Sequence, residues 1–186
     1  NKIEKKINIS CQIKVKDPLK FLTKSSELYR KNIKTKIIAI TGSCGKTTLK
    51  ELLGNSLKKL SKVGISPQSY NNKFGVPLSL FNLDQKNNYG VLEIGMDKKG
   101  EIDYLSKIVK PDVSVITNIN YAHAKNFKNI KQIALAKSEI INNTKINGFI
   151  VLNADDNFYT LHKKIANKRK LKILSFSINN QNTNIK

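Results

Sequence analysis

The stretch Lys36–Thr48, KIIAITGSCGKTT, decides the fold of this chain. Its apolar, β-branched run predicts a buried strand, which leads into a turn flanked by Gly42 and Gly45. Apolar residues at helical spacing over Thr47–Leu60 then predict an amphipathic helix that begins near Lys46. A strand, a glycine turn and a helix in this order aim backbone N–H groups and the positive helix end at one point, which favours phosphate binding.

The glycine turn (residues 42–45, the phosphate loop) is close to the G-x-x-x-x-G-K-[ST] pattern of nucleotide triphosphate sites, although Ile40 stands where that pattern has its first glycine. We therefore predict that the turn tightens around Gly42 instead. In such a site Lys46 binds the β- and γ-phosphates, and the Thr47 hydroxyl ligates Mg²⁺. The alternative is a glycine-rich turn that contains a lysine by chance, and the flanking strand and helix argue against it.

Short β-branched strands alternate with helical stretches along the rest of the chain. The predicted strands are Ile37–Thr41, Lys62–Ile65, Gly90–Ile94, Asp112–Thr117, Phe149–Leu152 and Lys172–Phe176. The predicted helices are Thr47–Leu60, Pro77–Asn82, Glu101–Val109, Ile130–Asn142 and Asp156–Asn167. Continuous apolar strands between amphipathic helices predict an α/β fold of the P-loop NTPase-like type, with a mostly parallel sheet and helices on both faces.

Two further elements are predicted before the sheet. The residues Cys11–Val15 can form a short strand. Asp17 followed by Pro18 combines an N-cap residue with proline at the first helical position, which predicts a helix that ends at about Lys31.

The charge of the chain bounds the class of protein. It contains 34 Lys and Arg against 13 Asp and Glu, a formal net charge of +21. Such a charge invites nucleic acid binding through counterion release, but the lysines are scattered over every segment instead of forming one stripe. We therefore expect mostly solvated surface charge and no nucleic acid partner, and a basic nucleic-acid-binding protein remains the competing hypothesis.

Composition also bears on the cellular location. The sequence has neither a run of about 18 apolar residues nor the apolar core of a signal peptide, which predicts a cytoplasmic protein without a membrane span. The two cysteines, Cys11 and Cys44, are too few for a disulfide framework or a zinc site. We expect Cys44 to line the phosphate loop.

Ligand-binding residues of a parallel sheet collect at the C-terminal ends of its strands. Glu93 lies near the end of an apolar strand, where its carboxylate can either serve Mg²⁺ or escape to solvent. His123 follows a predicted strand at the same edge, and its position by itself favours a loop residue that has no role. Lys137 lies in a helical segment, and its sequence context alone predicts a surface lysine.

Several segments together resemble, in order and spacing, the central ATP-binding domain of the Mur ligase family. They are TGSCGKTT at 41–48, NNKFGVPLSL at 71–80, EIGM at 93–96, GEI at 100–102, TN at 117–118, AH at 122–123, AKSEI at 136–140 and NADD at 153–156. The NN-x-x-GVPL and AKSEI segments are the most specific of them. The resemblance covers roughly residues 33–176, with boundary errors of about 2 to 4 residues.

The resemblance implies an ATP- and Mg²⁺-dependent ligase of peptidoglycan precursor synthesis. Its substrates would be UDP-N-acetylmuramoyl-tripeptide and D-Ala-D-Ala, which it would join through an acyl-phosphate intermediate as an acid–D-amino-acid ligase. Another Mur-type or folylpolyglutamate synthase-like ligase is the alternative. A generic P-loop nucleotide switch would leave the NN-x-x-GVPL and AKSEI segments without a role.

The resemblance also implies a division of the chain into parts. Residues 1–32 would be the end of an N-terminal UDP-substrate domain with its linker helix, and residues 33–186 would be the central ATP-binding domain. The C-terminal domain of the family would be absent, so that residues 1–186 alone are expected to be inactive. We expect a monomer.

Three residues carry the catalytic roles that the resemblance implies. Lys46 would bind the terminal phosphates. His123 and Lys137 would hold a second Mg²⁺, and Lys137 would do so as a carbamate, because carbamylation turns the lysine cation into an anionic oxygen ligand. Thr47 and Glu93 would hold the first Mg²⁺.

The remaining implied roles concern nucleotide and substrate. Asn153 matches the asparagine on the adenine side, and Asn71 and Asn72 lie in the segment near the acceptor substrate. The other nucleotide-binding residues belong to the phosphate loop and the first helical turn: Gly42, Ser43, Cys44, Gly45 and Thr48.

Overall fold

A parallel sheet organises the chain, which the computed structural model describes at residues 8, 12–121, 126–179 and 183–184. Its strands are β1 (Lys36–Thr41), β2 (Val63–Ile65), β3 (Tyr89–Glu93), β4 (Val113–Ile116), β5 (Phe149–Asn153) and β6 (Lys172–Phe176). They lie in the order β2-β3-β1-β4-β5-β6, and each described pairing is parallel. The C-terminal strand ends therefore meet at one edge, and the predicted α/β fold is confirmed.

Six helices accompany the described strands. They are α1 (Pro18–Asn32), α2 (Lys46–Lys58), α3 (Gly75–Phe81), α4 (Glu101–Val109), α5 (Ile130–Asn143) and α6 (Tyr159–Lys168). As the sequence predicts, Asp17 caps α1 by accepting a hydrogen bond from the Lys20 N–H at 2.9 Å. Over the described ranges, none of these helices has the length and apolar character needed to cross a membrane.

Different helices cover the two faces of the sheet. Ile37 and Ala39 of β1 belong to the larger core, together with buried residues of α3, α4 and α5. Ile38 and Ile40 belong to a second core, against which leucines of α2 pack. Because β1 is buried on both faces, its sequence is continuously apolar. β5 instead alternates between buried and half-buried residues, as a strand covered on one face does.

The predicted strand at Cys11–Val15 and the predicted start of the last helix were wrong. Residues 12–15 form no strand, and Cys11 lies outside the described residues. The sixth helix begins at Tyr159 and not at Asp156, because the Asp156 carboxylate accepts a hydrogen bond from the Phe158 N–H at 2.8 Å and so forms a turn ahead of the helix.

The apolar face predicted for α2 is also narrower than its sequence suggests. Leu49, Leu53 and Leu57 pack against the second core. Leu52 is 64% exposed, and Leu60 lies beyond the helix end and is 83% exposed. One stripe of the helix therefore faces the sheet, and Leu52 and Leu60, two of the five leucines in the predicted helix Thr47–Leu60, lie outside it.

α1 is fastened to the opposite, N-terminal edge of the sheet through a buried arginine. Arg30 donates hydrogen bonds to the carbonyl oxygens of Val109 at 2.6 Å and Lys110 at 3.1 Å, and it pairs with Asp112 at 3.1 Å. Asp112 also accepts a hydrogen bond from the Ile37 N–H at the start of β1. This network lies at the edge of the sheet opposite the C-terminal strand ends, where the candidate site is located.

Candidate nucleotide-binding site

The phosphate loop makes the tight turn that its glycines predict. Gly42 has φ +150° and Gly45 has φ +78°. A Cβ atom at Gly42 would lie 1.8 Å from Thr117 Oγ1, so that only glycine fits this position. Gly45 is the N-cap of α2, and no described side chain caps that helix. The first N–H groups of α2 are therefore available to an anion.

The end of β4 braces the phosphate loop from the side. The Ser43 N–H donates to the Asn118 carbonyl oxygen at 3.0 Å, and the Ser43 hydroxyl bonds to the backbone of Asn120. The Cys44 N–H donates to Asn118 Oδ1 at 3.0 Å, and Thr117 Oγ1 donates to the Cys44 carbonyl oxygen at 2.7 Å. Hydrogen bonds within the protein thus hold the loop in this conformation, with the Cys44 residue exposed.

We predict that Gly42→Ala destabilises the protein more than Gly45→Ala. Both positions have positive φ, which costs a residue with a side chain about 1–2 kcal/mol. Only Gly42 has a neighbour in the way, which adds about 1–3 kcal/mol of overpacking, because nothing lies within 4 Å of a Cβ at Gly45. Urea unfolding of the two variants measures the difference, and equal losses would show that Thr117 does not constrain the loop.

Two lysines converge on the phosphate loop. Lys46 Nζ donates to the Gly42 carbonyl oxygen at 3.0 Å, and Lys137 Nζ, from α5, donates to the same oxygen at 2.9 Å. Burial, and secondarily the positive charge of Lys46, lower the pKa of Lys137 from 10.5 to about 7. Lys137 is 2% exposed, so the expectation that it lies on the surface was wrong. Small neighbours such as Ala136 let α5 lie close to the sheet, which buries the side chain.

Glu93 ends β3 beside the phosphate loop and is 1% exposed. One carboxylate oxygen accepts a hydrogen bond from Thr47 Oγ1 at 2.7 Å, and the other accepts one from Asn71 Nδ2 at 2.8 Å. Of the two alternatives that its sequence position left open, escape to solvent is therefore excluded.

The oxygen atoms of Thr47 and Glu93 fit a magnesium ion. Mg²⁺ prefers hard oxygen ligands and is commonly held by one or two carboxylates together with substrate phosphates and water. In the described part of the chain, no three His, Cys, Asp or Glu side chains cluster as a metal site. The oxygen atoms of Thr47 and Glu93 therefore suit an ion that also binds a phosphate.

The other predicted site residues are more dispersed. Asn72 Oδ1 accepts hydrogen bonds from the N–H groups of Phe74 and Gly75, both at 3.0 Å, and α3 begins at Gly75, two residues before its predicted start. Thr48 is exposed in the first turn of α2. Asn153 ends β5 and accepts a hydrogen bond from the Asp155 N–H at 2.9 Å. His123 lies outside the described residues.

A cleft of about 780 Å³ opens beside Lys46. Its lining includes Asn71, Asn72, Lys73 and Phe74 together with residues of the 95–101 segment. The cleft therefore leaves space for a ligand beside the phosphate loop.

Sequence reasoning passed over one buried residue of this region. Lys50 follows Thr47 by one helical turn in α2 and has 0% exposure. A lysine on a helix is normally a solvated residue, so only its position between Leu49 and Glu51, next to the inward stripe of α2, could have indicated burial.

The comparisons with known proteins agree on one family. The family described as "Mur ligase middle domain" matches residues 40–186. The UDP-N-acetylmuramoyl-tripeptide–D-alanyl-D-alanine ligase of Buchnera aphidicola subsp. Acyrthosiphon pisum is 43% identical over 150 residues, which are 80% of this chain and 32% of that protein. This chain therefore spans about a third of the length of that curated relative.

Solved structures lead to the same family. MurF from Acinetobacter baumannii superimposes with a TM-score of 0.84 at 38% identity, over 89% of this chain and 36% of that one. The MurF ligase of Thermotoga maritima, solved in complex with ADP, has a TM-score of 0.81 at 33% identity, over 95% of this chain and 40% of that one. The chain with this phosphate loop, Glu93 and Lys137 belongs to the Mur ligase family.

Proposed function

We propose that this chain is the ATP-binding part of a ligase that joins D-Ala-D-Ala to UDP-N-acetylmuramoyl-tripeptide in cytoplasmic peptidoglycan precursor synthesis. The observation that carries the proposal is the convergence of Lys46, Lys137 and the Thr47–Glu93 pair on one phosphate loop. The relative named for this reaction, 43% identical, supports it. We assign residues 33–186 to the central ATP-binding domain and residues 1–32 to the end of an N-terminal domain and its linker helix.

The phosphate loop and Lys46 would hold the terminal phosphates of ATP. The first N–H groups of α2 provide neutral donors, and the Lys46 ammonium, already at the loop, provides positive charge. Ser43, Cys44, Gly45 and Thr48 would contribute as parts of the same loop and first turn. Asn153, at the end of β5, would lie on the adenine side.

Thr47 and Glu93 would hold one Mg²⁺, and Lys137 as a carbamate would hold a second one with His123. Bound Mg²⁺ supplies neutralisation of the charge on the phosphates during phosphoryl transfer. Asn71 holds the second Glu93 oxygen and so orients the carboxylate. Lys137, with a pKa of about 7, is in part a neutral amine at neutral pH, which is the form that reacts with carbon dioxide.

The reaction we propose has two steps. A carboxylate of the UDP-linked tripeptide takes the γ-phosphoryl group of ATP, which gives an acyl phosphate and ADP. The amine of D-Ala-D-Ala then attacks the activated carbonyl, so that an amide forms and phosphate leaves. Asn71 and Asn72 line the cleft beside Lys46, through which the tripeptide carboxylate would approach.

The test is ADP release by the complete protein that contains this chain. We expect release that requires both UDP-N-acetylmuramoyl-tripeptide and D-Ala-D-Ala, with other amino acids and folate acceptors as controls. Release that follows a different acceptor would move the assignment to another ligase of the superfamily. Oligonucleotide binding that persists well above physiological salt and ignores nucleotide would instead favour a nucleic-acid-binding protein, because nonspecific electrostatic binding weakens steeply with salt.

A further inference from the structure

Lys50 is a fully buried lysine that the proposed reaction does not use. Its ammonium group donates hydrogen bonds to the carbonyl oxygens of Ser66, at 2.9 Å, and Gln68. Its one ion-pair partner among the described residues is Glu51, at 3.1 Å, whose side chain is 49% exposed. The cation is therefore held mainly by two backbone carbonyl groups of the segment that follows β2.

Stability alone does not account for this arrangement. Burying an ammonium group costs free energy that hydrogen bonds and a half-exposed carboxylate only partly offset. An apolar side chain of similar length would avoid that cost, although the carbonyl groups of Ser66 and Gln68 would lose this donor. The specific consequence of the lysine is that it ties α2 to residues 66–68, where Gln68 has φ +38°, a conformation that few non-glycine residues adopt.

The tied segment reaches Glu93 at two points. Ser66 Oγ accepts a hydrogen bond from the Glu93 N–H at 3.2 Å, and Asn71, three residues beyond Gln68, donates to Glu93 Oε1 at 2.8 Å. The other carboxylate oxygen is held by Thr47, which lies one turn before Lys50 on the same helix. Glu93 is thus hydrogen-bonded both to α2 and to the 66–71 segment, and Lys50 connects α2 to that segment by its own hydrogen bonds.

We propose that Lys50 is a positioning residue for the magnesium site, acting through Ser66, Asn71 and Glu93. The inference rests on the proposed function, since it takes Thr47 and Glu93 as the oxygen ligands of the ion. Without the ammonium group, the 66–71 segment loses its link to α2, and the Glu93 carboxylate loses its fixed orientation toward Thr47. The geometry of the phosphate loop, which is braced by β4, does not depend on Lys50.

The test separates metal binding from nucleotide binding in the complete protein. The dissociation constant of ADP is measured by calorimetry with and without Mg²⁺, and the ratio reports the coupling between metal and nucleotide. We expect Lys50→Met to reduce that ratio by about 10-fold, as loss of groups that orient metal ligands commonly does, while ADP affinity without metal is retained. Lys58→Met, which changes an exposed lysine at the end of the same helix, is the matched control and should leave the ratio unchanged.

A purely structural role would lower ADP affinity equally with and without Mg²⁺, and that result would overturn the proposal. If Lys50→Met does not fold, Ser66→Ala decides, because it removes one contact to Glu93 without stranding buried carbonyl groups. A smaller reduction of the same ratio supports the proposal, and an unchanged ratio overturns it. Failure of the proposed function gives a different result, because the wild-type protein would then release no ADP in response to the two acceptor substrates.

Discussion

Replacing Lys46 with alanine is expected to lower the turnover of the complete enzyme by at least about 100- to 1,000-fold. Phosphoryl transfer depends on positioning and on neutralising charge, with little covalent help from protein. Lys46 is the first residue of α2, and its Nζ atom lies 3.0 Å from the Gly42 carbonyl oxygen. Its replacement by alanine therefore removes a positive charge from the place where the phosphates would bind. Steady-state ADP release with both acceptor substrates measures the loss.

The matched control is Lys58→Ala, because Lys58 is an exposed lysine at the other end of α2. Its removal changes the net charge by the same amount without touching the phosphate loop, and turnover should stay within about twofold, as for an ordinary surface substitution. Equal losses in the two variants would mean that the effect is one of overall charge. Turnover near the wild-type value in Lys46→Ala would contradict the triphosphate site itself.

Replacing Lys137 with alanine is expected to lower turnover by a comparable factor and to be partly reversed by short carboxylic acids such as formate and acetate. The variant vacates a buried position from which the Lys137 ammonium reaches the Gly42 carbonyl oxygen at 2.9 Å. A small carboxylate can occupy that space and supply the anionic oxygen that a carbamate would supply. The measurement is turnover against acid concentration, with Lys46→Ala as the variant that the acids should not restore.

The carbamate can also be followed directly by its dependence on pH. Because the pKa of Lys137 is lowered to about 7, the neutral amine grows as pH rises through 7, whereas an unshifted lysine stays charged to about pH 10. We expect the ¹³C signal of a carbamate formed from labelled bicarbonate to increase between pH 6 and pH 8 and to vanish in Lys137→Ala. Absence of the signal in the wild-type protein would remove the carbamate without affecting the role of the phosphate loop.

The position of the site could be predicted because strand ends are encoded locally. The apolar run of β1 stops just before Gly42, and the apolar run of β3 likewise stops at the charged residue Glu93. Both strands are parallel and adjacent, so that their C-terminal ends are neighbours. Helix starts were harder to predict, since α3 begins at Gly75, whose N–H group donates to the Asn72 side chain, and not at the predicted Pro77.

The burial of individual lysines could not be predicted from their neighbours in sequence. With a net charge of +21, almost any lysine of this chain is taken as a solvated surface residue. Lys137 and Lys50 are nevertheless buried, one against the phosphate loop and the other against the 66–71 segment. The resemblance to the Mur ligases, now confirmed, drew attention to Lys137, whereas the one sequence signal for Lys50 was its position next to the inward stripe of α2.

Local pattern alone thus specified the parallel α/β sheet, the glycine turn and the helix that opens at Lys46, because apolar periodicity and glycine conformation act over a few residues. The packing of α2 and α5 around the sheet decided which polar groups meet: Lys137 with Gly42, Thr47 and Asn71 with Glu93, and Lys50 with Ser66. These pairs are separated by between 16 and 95 positions in the chain, and burial of such distant partners together is a property of the folded state only.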